Sequence, residues 1–209
     1  MDMLRAICAV AKENKMRVHT DGARIWNASI ASGVALHELA ADTDTISACL
    51  SKGLGCPVGS VLVGDRETIE RARHKRKMLG GGMRQAGILA AAGLHALDHH
   101  FDRLAADHAR ARSLANALAE CSIFDFDPAD VETNLVYAKL AEHATEAGSD
   151  AFAWERTFES VGVLCYAESP TTLRFVTHLD VNDEAIQEAA TRINSLSSER
   201  VPGKVPGKK

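Results

Sequence analysis

Long hydrophobic runs are missing from this sequence of 209 residues. No apolar stretch approaches the ~20 residues that a helix needs to span a bilayer, which argues against a membrane-spanning protein. The start, Met1–Arg5, lacks a basic region followed by an apolar core, so we expect no signal peptide there. We therefore expect a cytoplasmic protein with no membrane partner.

A large excess of one sign of charge is also missing, since the formal net charge is only −4. This argues against general nucleic-acid binding. The basic run in residues 71–77 has no interleaved aromatics, and we interpret it as a solvated helix face. The five cysteines are widely spread with no CxxC pair, which favours a reducing compartment over a disulfide framework. No pair of the nine histidines has ligand spacing with a carboxylate partner, so we predict no metal site.

The composition that is present, 46% hydrophobic and 25% charged, is that of a globular protein with a real core. Helical and strand-like patterns alternate in the first hundred residues, which predicts an α/β part: helices 3–14, 25–32, 35–41 and 66–78, and strands 16–20, 45–51 and 60–63. A long helical pattern, 84–120, follows, with an interruption near residues 98–100. Beyond Cys121, strands 133–139 and 173–177 and helices 150–161 and 182–197 predict an α+β module. We place the boundary near residue 100 and a flexible tail at 199–209.

Two residues at the ends of predicted strands carry the first hint of chemistry. Asp21 follows the first strand, and Lys52 stands at the end of the second. In open α/β sheets, ligands collect beyond the carboxyl ends of the strands, so one pocket can receive both side chains. A lysine forms imines with carbonyl cofactors, and a carboxylate can keep the pyridine nitrogen of pyridoxal phosphate (PLP) protonated. Residue type and spacing alone favour a plainer interpretation, a helix-capping aspartate and a solvated lysine.

The glycines around Lys52 shift that balance. Gly53, Gly55 and Gly59 lie within seven residues of it, together with a proline. A turn that merely joins two strands needs one or two glycines, because positive φ angles or close backbone approach occur at only a few positions. The cluster favours a loop built for a ligand.

Three arginines are candidates for binding anionic groups. Arg24 lies about one helical turn after Asp21, Arg84 follows the triple glycine and opens a helix, and Arg174 lies in a predicted strand. Each taken alone is more often a surface arginine. Together they suit a phosphate and a carboxylate, which the guanidinium binds as a fork.

Four stretches of the sequence, in this order, resemble the low-specificity L-threonine aldolases. They are HTDGARIWN (19–27), LSKGLGCPVGS (50–60), RKMLGGGMRQAG (76–87) and LRFVTHLDV (173–181). The SKGLG and GGGMRQ elements are the most specific of them. The similarity extends from the start of the chain to about residue 198.

The resemblance implies PLP fold type I, the aspartate aminotransferase fold. Residues 1–100 would form the C-terminal part of the large PLP-binding domain, and residues 101–198 a small C-terminal α+β domain. The resemblance also implies the roles of five residues. Lys52 forms the Schiff base with PLP, and Asp21 binds the pyridine nitrogen. Arg24 lies by cofactor and substrate, Arg174 binds the substrate carboxylate, and Arg84 reaches the cofactor phosphate across a subunit interface.

The implied reaction cleaves L-threonine, L-allo-threonine or a related β-hydroxy-α-amino acid to glycine and an aldehyde. The implied partner is another copy of the chain, in a dimer or tetramer. Family members carry a long N-terminal portion with most phosphate contacts, which we expect this chain to lack. We therefore expect weak PLP binding and little activity from the chain alone. Two alternatives stay open: β-elimination or transamination on the same fold, and a non-catalytic oligomer whose interface lies in helices 66–120.

Overall fold

The computed structural model describes residues 2–197, apart from the side chains of residues 146–148 and 197. The chain divides after Leu104 into two compact units. The predicted tail, 199–209, lies outside the described residues. Within residues 2–197, none of the helices has the length and apolar character that crossing a membrane would require.

The first unit alternates helices with a three-stranded sheet of order β1-β2-β3. Its elements are α1 (Asp2–Glu13), β1 (His19–Asp21), α2 (Ile25–Ser32), α3 (Leu36–Ala40), β2 (Thr45–Cys49), β3 (Ser60–Gly64), α4 (Arg66–Met78) and α5 (Gly87–His99). β1 and β2 are parallel, with Asp21 opposite Ser47, and β3 is antiparallel to β2. The carboxyl ends of β1 and β2 therefore meet at one edge of the sheet.

Residues at the ends of α2 and α4 fix where these two helices end and begin. Gly33 takes a left-handed conformation, with a φ of 68°, directly after α2, and such a residue commonly ends a helix. Asp65 caps α4 by accepting a hydrogen bond from the Thr68 backbone nitrogen. Hydrogen bonds from the backbone nitrogen and the hydroxyl of Thr68 hold the pKa of the Asp65 carboxyl below its usual range, because they stabilise the ionised form.

The second unit is an α+β arrangement around an antiparallel sheet of order β4-β6-β5. Its elements are α6 (Leu104–Ala119), β4 (Leu135–Lys139), α7 (Ala151–Ser160), β5 (Tyr166–Ser169), β6 (Thr172–Val176) and α8 (Asp183–Ser197), with 3-10 turns at Pro128–Asp130 and Glu142–Gly148. Burial alternates along β4 and β6, as the sequence pattern predicts for strands with one face on a core. Trp154 and Phe158 of α7 are buried in that core.

The structure differs from the sequence-based prediction in several places. α5 begins at Gly87, so Arg84 lies in the connection before this helix and does not open it. β1 begins at His19 rather than at residue 16. The long pattern 84–120 forms two helices, α5 and α6, separated close to the predicted interruption. β5 was not predicted from the sequence. Its register against β6 shifts between Ala167 and Ser169. Such an irregular strand lacks the regular apolar–polar alternation by which strands are recognised in a sequence.

Candidate active site

Asp21 occupies the carboxyl end of β1, where it is exposed. Its Oδ1 accepts a hydrogen bond of 3.1 Å from the Ala23 backbone nitrogen, which closes a short turn into α2. Gly22 makes this turn possible: a Cβ there would lie 2.8 Å from Ile46 Cγ2 and 3.2 Å from the Ser47 carbonyl oxygen. The glycine thus allows β1 and β2 to lie close together where the carboxylate emerges.

Lys52 lies in residues 50–59, which we call the lysine loop. The Leu50 backbone nitrogen donates to the Gly59 carbonyl at 3.0 Å, and the Gly55 nitrogen donates to the Lys52 carbonyl at 2.8 Å. Gly55 and Gly59 have φ angles of 71° and 105°, a region that other residues rarely adopt. These two glycines therefore meet a backbone need of the loop.

The side chain of Lys52 is exposed, and it makes no hydrogen bond or ion pair with any described residue. The amine is therefore available to react with a carbonyl compound once it loses its proton.

Contacts between α2 and the lysine loop join two of the four motif stretches. Trp26 Nε1 donates a hydrogen bond of 2.8 Å to the Cys49 carbonyl, at the end of β2. A Cβ on Gly53 would lie 3.1 Å from Oδ1 of the buried Asn27 and 2.8 Å from Leu104 Cδ2. The third glycine thus serves close packing. These contacts fix the start of the loop against the helix that follows Asp21.

Arg24 immediately precedes α2, three residues after Asp21, and is half-buried. Its guanidinium has no hydrogen-bond or ion-pair partner among the described residues. Together with Asp21 and Lys52 it belongs to the strand-end edge of the first unit. The edge therefore presents one carboxylate, one guanidinium and one primary amine.

Arg84 lies between α4 and α5 and is exposed. It borders a depression of about 390 Å³ with three cations of α4, namely Arg73, Arg76 and Lys77, and with Gly80, Gly82 and Met83. Neither Asp21 nor Lys52 is among these lining residues. Arg84 thus lines a basic depression whose lining includes none of the strand-end residues Asp21, Arg24 and Lys52.

Arg174 lies in β6 of the second unit and is held by its neighbours. Its Nη1 forms an ion pair of 3.0 Å with Glu168 Oε2, and its guanidinium carbon lies 5.1 Å from the centroid of the Tyr166 ring. Its Nε is buried without a hydrogen-bond partner in the described part of the chain. Sequence reasoning missed Glu168 and Tyr166; their spacing of two, which puts both on one face of a strand, was the available signal.

A larger cavity of about 690 Å³ belongs to another part of the first unit. It is lined by α1 residues and by segments that precede β1 and β2, including Met16, Val18 and Asp44. It therefore opens at the amino ends of these strands and contains none of the motif residues. Among residues 2–197, no three His, Cys, Asp or Glu side chains are arranged to hold a metal ion.

The strand-end residues fit a PLP molecule in their donor chemistry. Asp21 uses Oδ1 in the turn, which leaves Oδ2 for a protonated pyridine nitrogen. Lys52 has a free amine for the aldehyde, and Arg24 a free guanidinium for an anionic group.

The sequence model of the family described as beta-eliminating lyase matches residues 1–141. The chain belongs to the beta-eliminating lyase family. It is 45% identical over 179 residues to the low specificity L-threonine aldolase of Escherichia coli O157:H7, covering 86% of this chain and 50% of that protein. It is 42% identical over 171 residues to low-specificity L-threonine aldolase 1 of Arabidopsis thaliana, covering 81% and 46%. The chain thus spans about half the length of these relatives.

The fold of this family member is also that of solved threonine aldolases. The structure of the Leishmania major threonine aldolase matches with a TM-score of 0.73 and 20% identity, over 93% of this chain and 55% of that one. The predicted fold class is confirmed: the chain has the C-terminal part of the PLP fold type I large domain, followed by a small α+β domain.

Proposed function

We propose that the whole protein is a PLP-dependent threonine aldolase, a carbon–carbon lyase that cleaves L-threonine, L-allo-threonine or a related β-hydroxy-α-amino acid to glycine and an aldehyde. The observation that carries the proposal is an unpaired lysine in a glycine-shaped loop, at the same strand-end edge as Asp21. Relatives named low-specificity threonine aldolases at 42–45% identity support the choice of reaction. We assign the cofactor-binding part to residues 1–100 and the small domain to residues 101–198.

Each strand-end residue has a proposed task. Lys52 would hold the cofactor covalently through its amine. The Asp21 carboxylate keeps a proton on the pyridine nitrogen, because an adjacent anion favours the protonated base. When bound, PLP supplies an electron sink for the electron pair of the breaking Cα–Cβ bond.

Two arginines are proposed to hold the substrate. Arg24, unpaired beside Asp21, contributes to binding both the cofactor and the substrate. Arg174 binds the substrate carboxylate, and its ion pair with Glu168 fixes the plane of the guanidinium before the substrate arrives.

Arg84 and the oligomer are proposed together. Arg84 belongs to a basic surface without Lys52, so we assign it to the cofactor phosphate of a second copy. Exposed apolar residues of α4, α5 and the connection between them support a homo-oligomer of two or four chains: Met78 64%, Leu79 86%, Met83 58%, Ile88 88% and Leu94 64% exposed. Patches of this kind commonly mark protein interfaces.

The same exposed residues favour a second candidate, a non-catalytic chain that forms oligomers. β-Elimination or transamination on this fold is a further alternative, because a fold does not fix a reaction. We also propose a cytoplasmic location, supported by five cysteines that are all free thiols.

A chimera tests the proposed reaction. This chain is joined to the portion of the E. coli relative that it does not cover, and the products formed from L-threonine and PLP are identified. Glycine with acetaldehyde supports the aldolase. A keto acid with ammonia identifies β-elimination, and a keto acid without ammonia identifies transamination. Lys52→Ala should abolish turnover, while Lys75→Ala, on the exposed surface of α4, should not. A folded, PLP-binding chimera that keeps its turnover after Lys52→Ala contradicts the proposal.

A further inference from the structure

The lysine loop is anchored by a buried leucine two residues after Lys52. Leu54 is completely buried and belongs to a small apolar cluster with Cys56, Ala96 and Leu104. Its carbonyl oxygen accepts a hydrogen bond of 2.7 Å from His100 Nδ1. A carbonyl only accepts, so Nδ1 of His100 carries the proton in this contact.

One face of α5 forms the support behind the loop. Cys56 Sγ lies 3.7 Å from the Ala92 carbonyl, Ala96 is buried, and His100 follows directly after the helix. Residues spaced by four lie above one another on a helix, so these three positions share a face. Gly93 also lies against the loop, because a Cβ there would be 3.4 Å from Leu50 Cδ1.

The His100 ring is itself held in place. Its backbone nitrogen donates to the Ala96 carbonyl at 2.8 Å, so the residue continues the hydrogen bonding of α5. Its ring meets that of His95 edge-on, with 5.3 Å between the centroids. The donor therefore projects from the C-terminal end of α5 towards the glycine-rich lysine loop.

We infer that His100 is a positioning residue for Lys52, acting through the Leu54 carbonyl, and this rests on the proposed function of Lys52. The Gly55 nitrogen donates to the Lys52 carbonyl at 2.8 Å, so the fixed peptide after Leu54 is bonded directly to the lysine residue. Removing the imidazole donor leaves a buried carbonyl unsatisfied and releases that turn. The amine then samples more positions, and PLP capture by Lys52 weakens.

Three variants of the full chain test the inference. His100→Leu removes the donor and keeps an apolar side chain. His100→Asn restores an N–H donor at a position close to Nδ1. His99→Leu is the matched control, since His99 is a neighbouring exposed histidine whose ring pairs with that of His95 and makes no hydrogen bond or ion pair with a described residue. Two readouts are compared with the wild type: the PLP concentration that half-labels Lys52 under borohydride, and hydrogen exchange of the Gly55 and Cys56 amides.

We expect His100→Leu to need about tenfold more PLP, the effect of one net hydrogen bond, and to exchange both amides faster. His100→Asn should return to within about threefold of the wild type, because it again supplies a donor. His99→Leu should match the wild type. The inference is overturned if His100→Leu is unchanged in both readouts, or if His100→Asn behaves like His100→Leu, which would indicate a packing role only. If Lys52 of the wild type is never labelled, the proposed function itself fails, and the inference falls with it.

Discussion

The backbone position of Lys52 depends on uncharged residues of the lysine loop. Gly55 and Gly59 provide the two positive φ angles of its loop, Gly53 allows Asn27 to approach, and Leu54 anchors the backbone. The amine is left without a partner in the described part of the chain. The shape of the loop therefore presents the proposed Schiff-base lysine after β2, at the edge of the sheet where Asp21 ends β1.

Gly22 offers a direct test of the close approach beside Asp21. Gly22→Ala places a Cβ within 2.8 Å of Ile46 Cγ2 and 3.2 Å of a backbone oxygen, and we expect a loss of about 1–3 kcal/mol in the free energy of unfolding. Gly87→Ala is the control, because nothing lies within 4 Å of its Cβ position, and alanine favours a helix. Urea unfolding measures both variants. Equal stabilities would show that the approach at Gly22 is not tight.

His108 predicts how stability depends on pH. Burial lowers the pKa of this histidine, helped by Arg112 and opposed by Asp107. The folded state thus binds a proton less readily than the unfolded state, whose histidine titrates near 6.5. The contribution of uncharged His108 to the free energy of unfolding is therefore complete above a pH of about 6.5. It is lost as the pH falls from that value towards the lower pKa of the folded state. Unfolding free energies at several pH values should decline more steeply below about 6.5 in the wild type than in His108→Gln. The exposed His143, changed to Gln, should leave the slope unaltered; a wild-type slope in His108→Gln would contradict the assignment.

At the level of elements, α5 has two different faces. One carries Ala96 and His100 against the lysine loop. On the opposite face Leu94 is 64% exposed, and Ile88, at the start of the helix, is 88% exposed. A helix with apolar residues on both sides is typical of a buried element. The exposed apolar residues of α5 therefore favour an interface with another protein chain. The helix would then connect the subunit interface to the loop that carries Lys52.

The oligomer prediction follows from Ile88 and Leu94, two of the exposed apolar residues of α5. The double change Ile88→Asp and Leu94→Asp should shift the sedimenting species towards the monomer, because a charge in an apolar interface loses its hydration without gaining a partner. Phe152→Asp is the matched control, since Phe152 is 44% exposed on α7 of the second unit. Sedimentation velocity distinguishes the outcomes. A wild type that is monomeric at every concentration, or an unchanged oligomer in the double variant, would rule out this interface.

How much the sequence predicts depends on how local the cause is. The Asp65 cap and the Gly33 stop were predictable because each acts within a few residues of its helix end. The His100–Leu54 hydrogen bond joins residues 46 apart, and no periodicity reveals it. The pairing of Arg174 with Glu168 was missed for a related reason, since it requires knowing that β5 exists and pairs with β6. The site residues were found from family motifs, and their surroundings only from the fold.

For the molecule as a whole, the two units differ in how much apolar surface they bury. A large cluster of buried residues, including Trp154, Phe158 and Leu173, forms the core of the second unit. The corresponding cluster around Leu54 in the first unit has four buried members. The first unit also leaves the apolar residues of β3 exposed. The chain spans about half the length of its curated relatives.

We therefore expect the first unit to unfold at a lower urea concentration than the second, because stability rises with buried apolar area. Hydrogen exchange at increasing urea, followed by mass spectrometry of peptides, measures both units in one sample. Peptides of β1 and β2 should lose protection before those of β4 and β6. Simultaneous loss in all four strands would show that the two units unfold as one.

The central claim is that Lys52 is the residue that holds PLP. Incubation of the chain with PLP, reduction with borohydride and peptide mass mapping test it most directly, with Lys52→Ala and Lys75→Ala as the matched pair. We predict a phosphopyridoxyl group on Lys52 in the wild type and in Lys75→Ala, and no specific label in Lys52→Ala. Labelling at another lysine, or at none, would contradict the account.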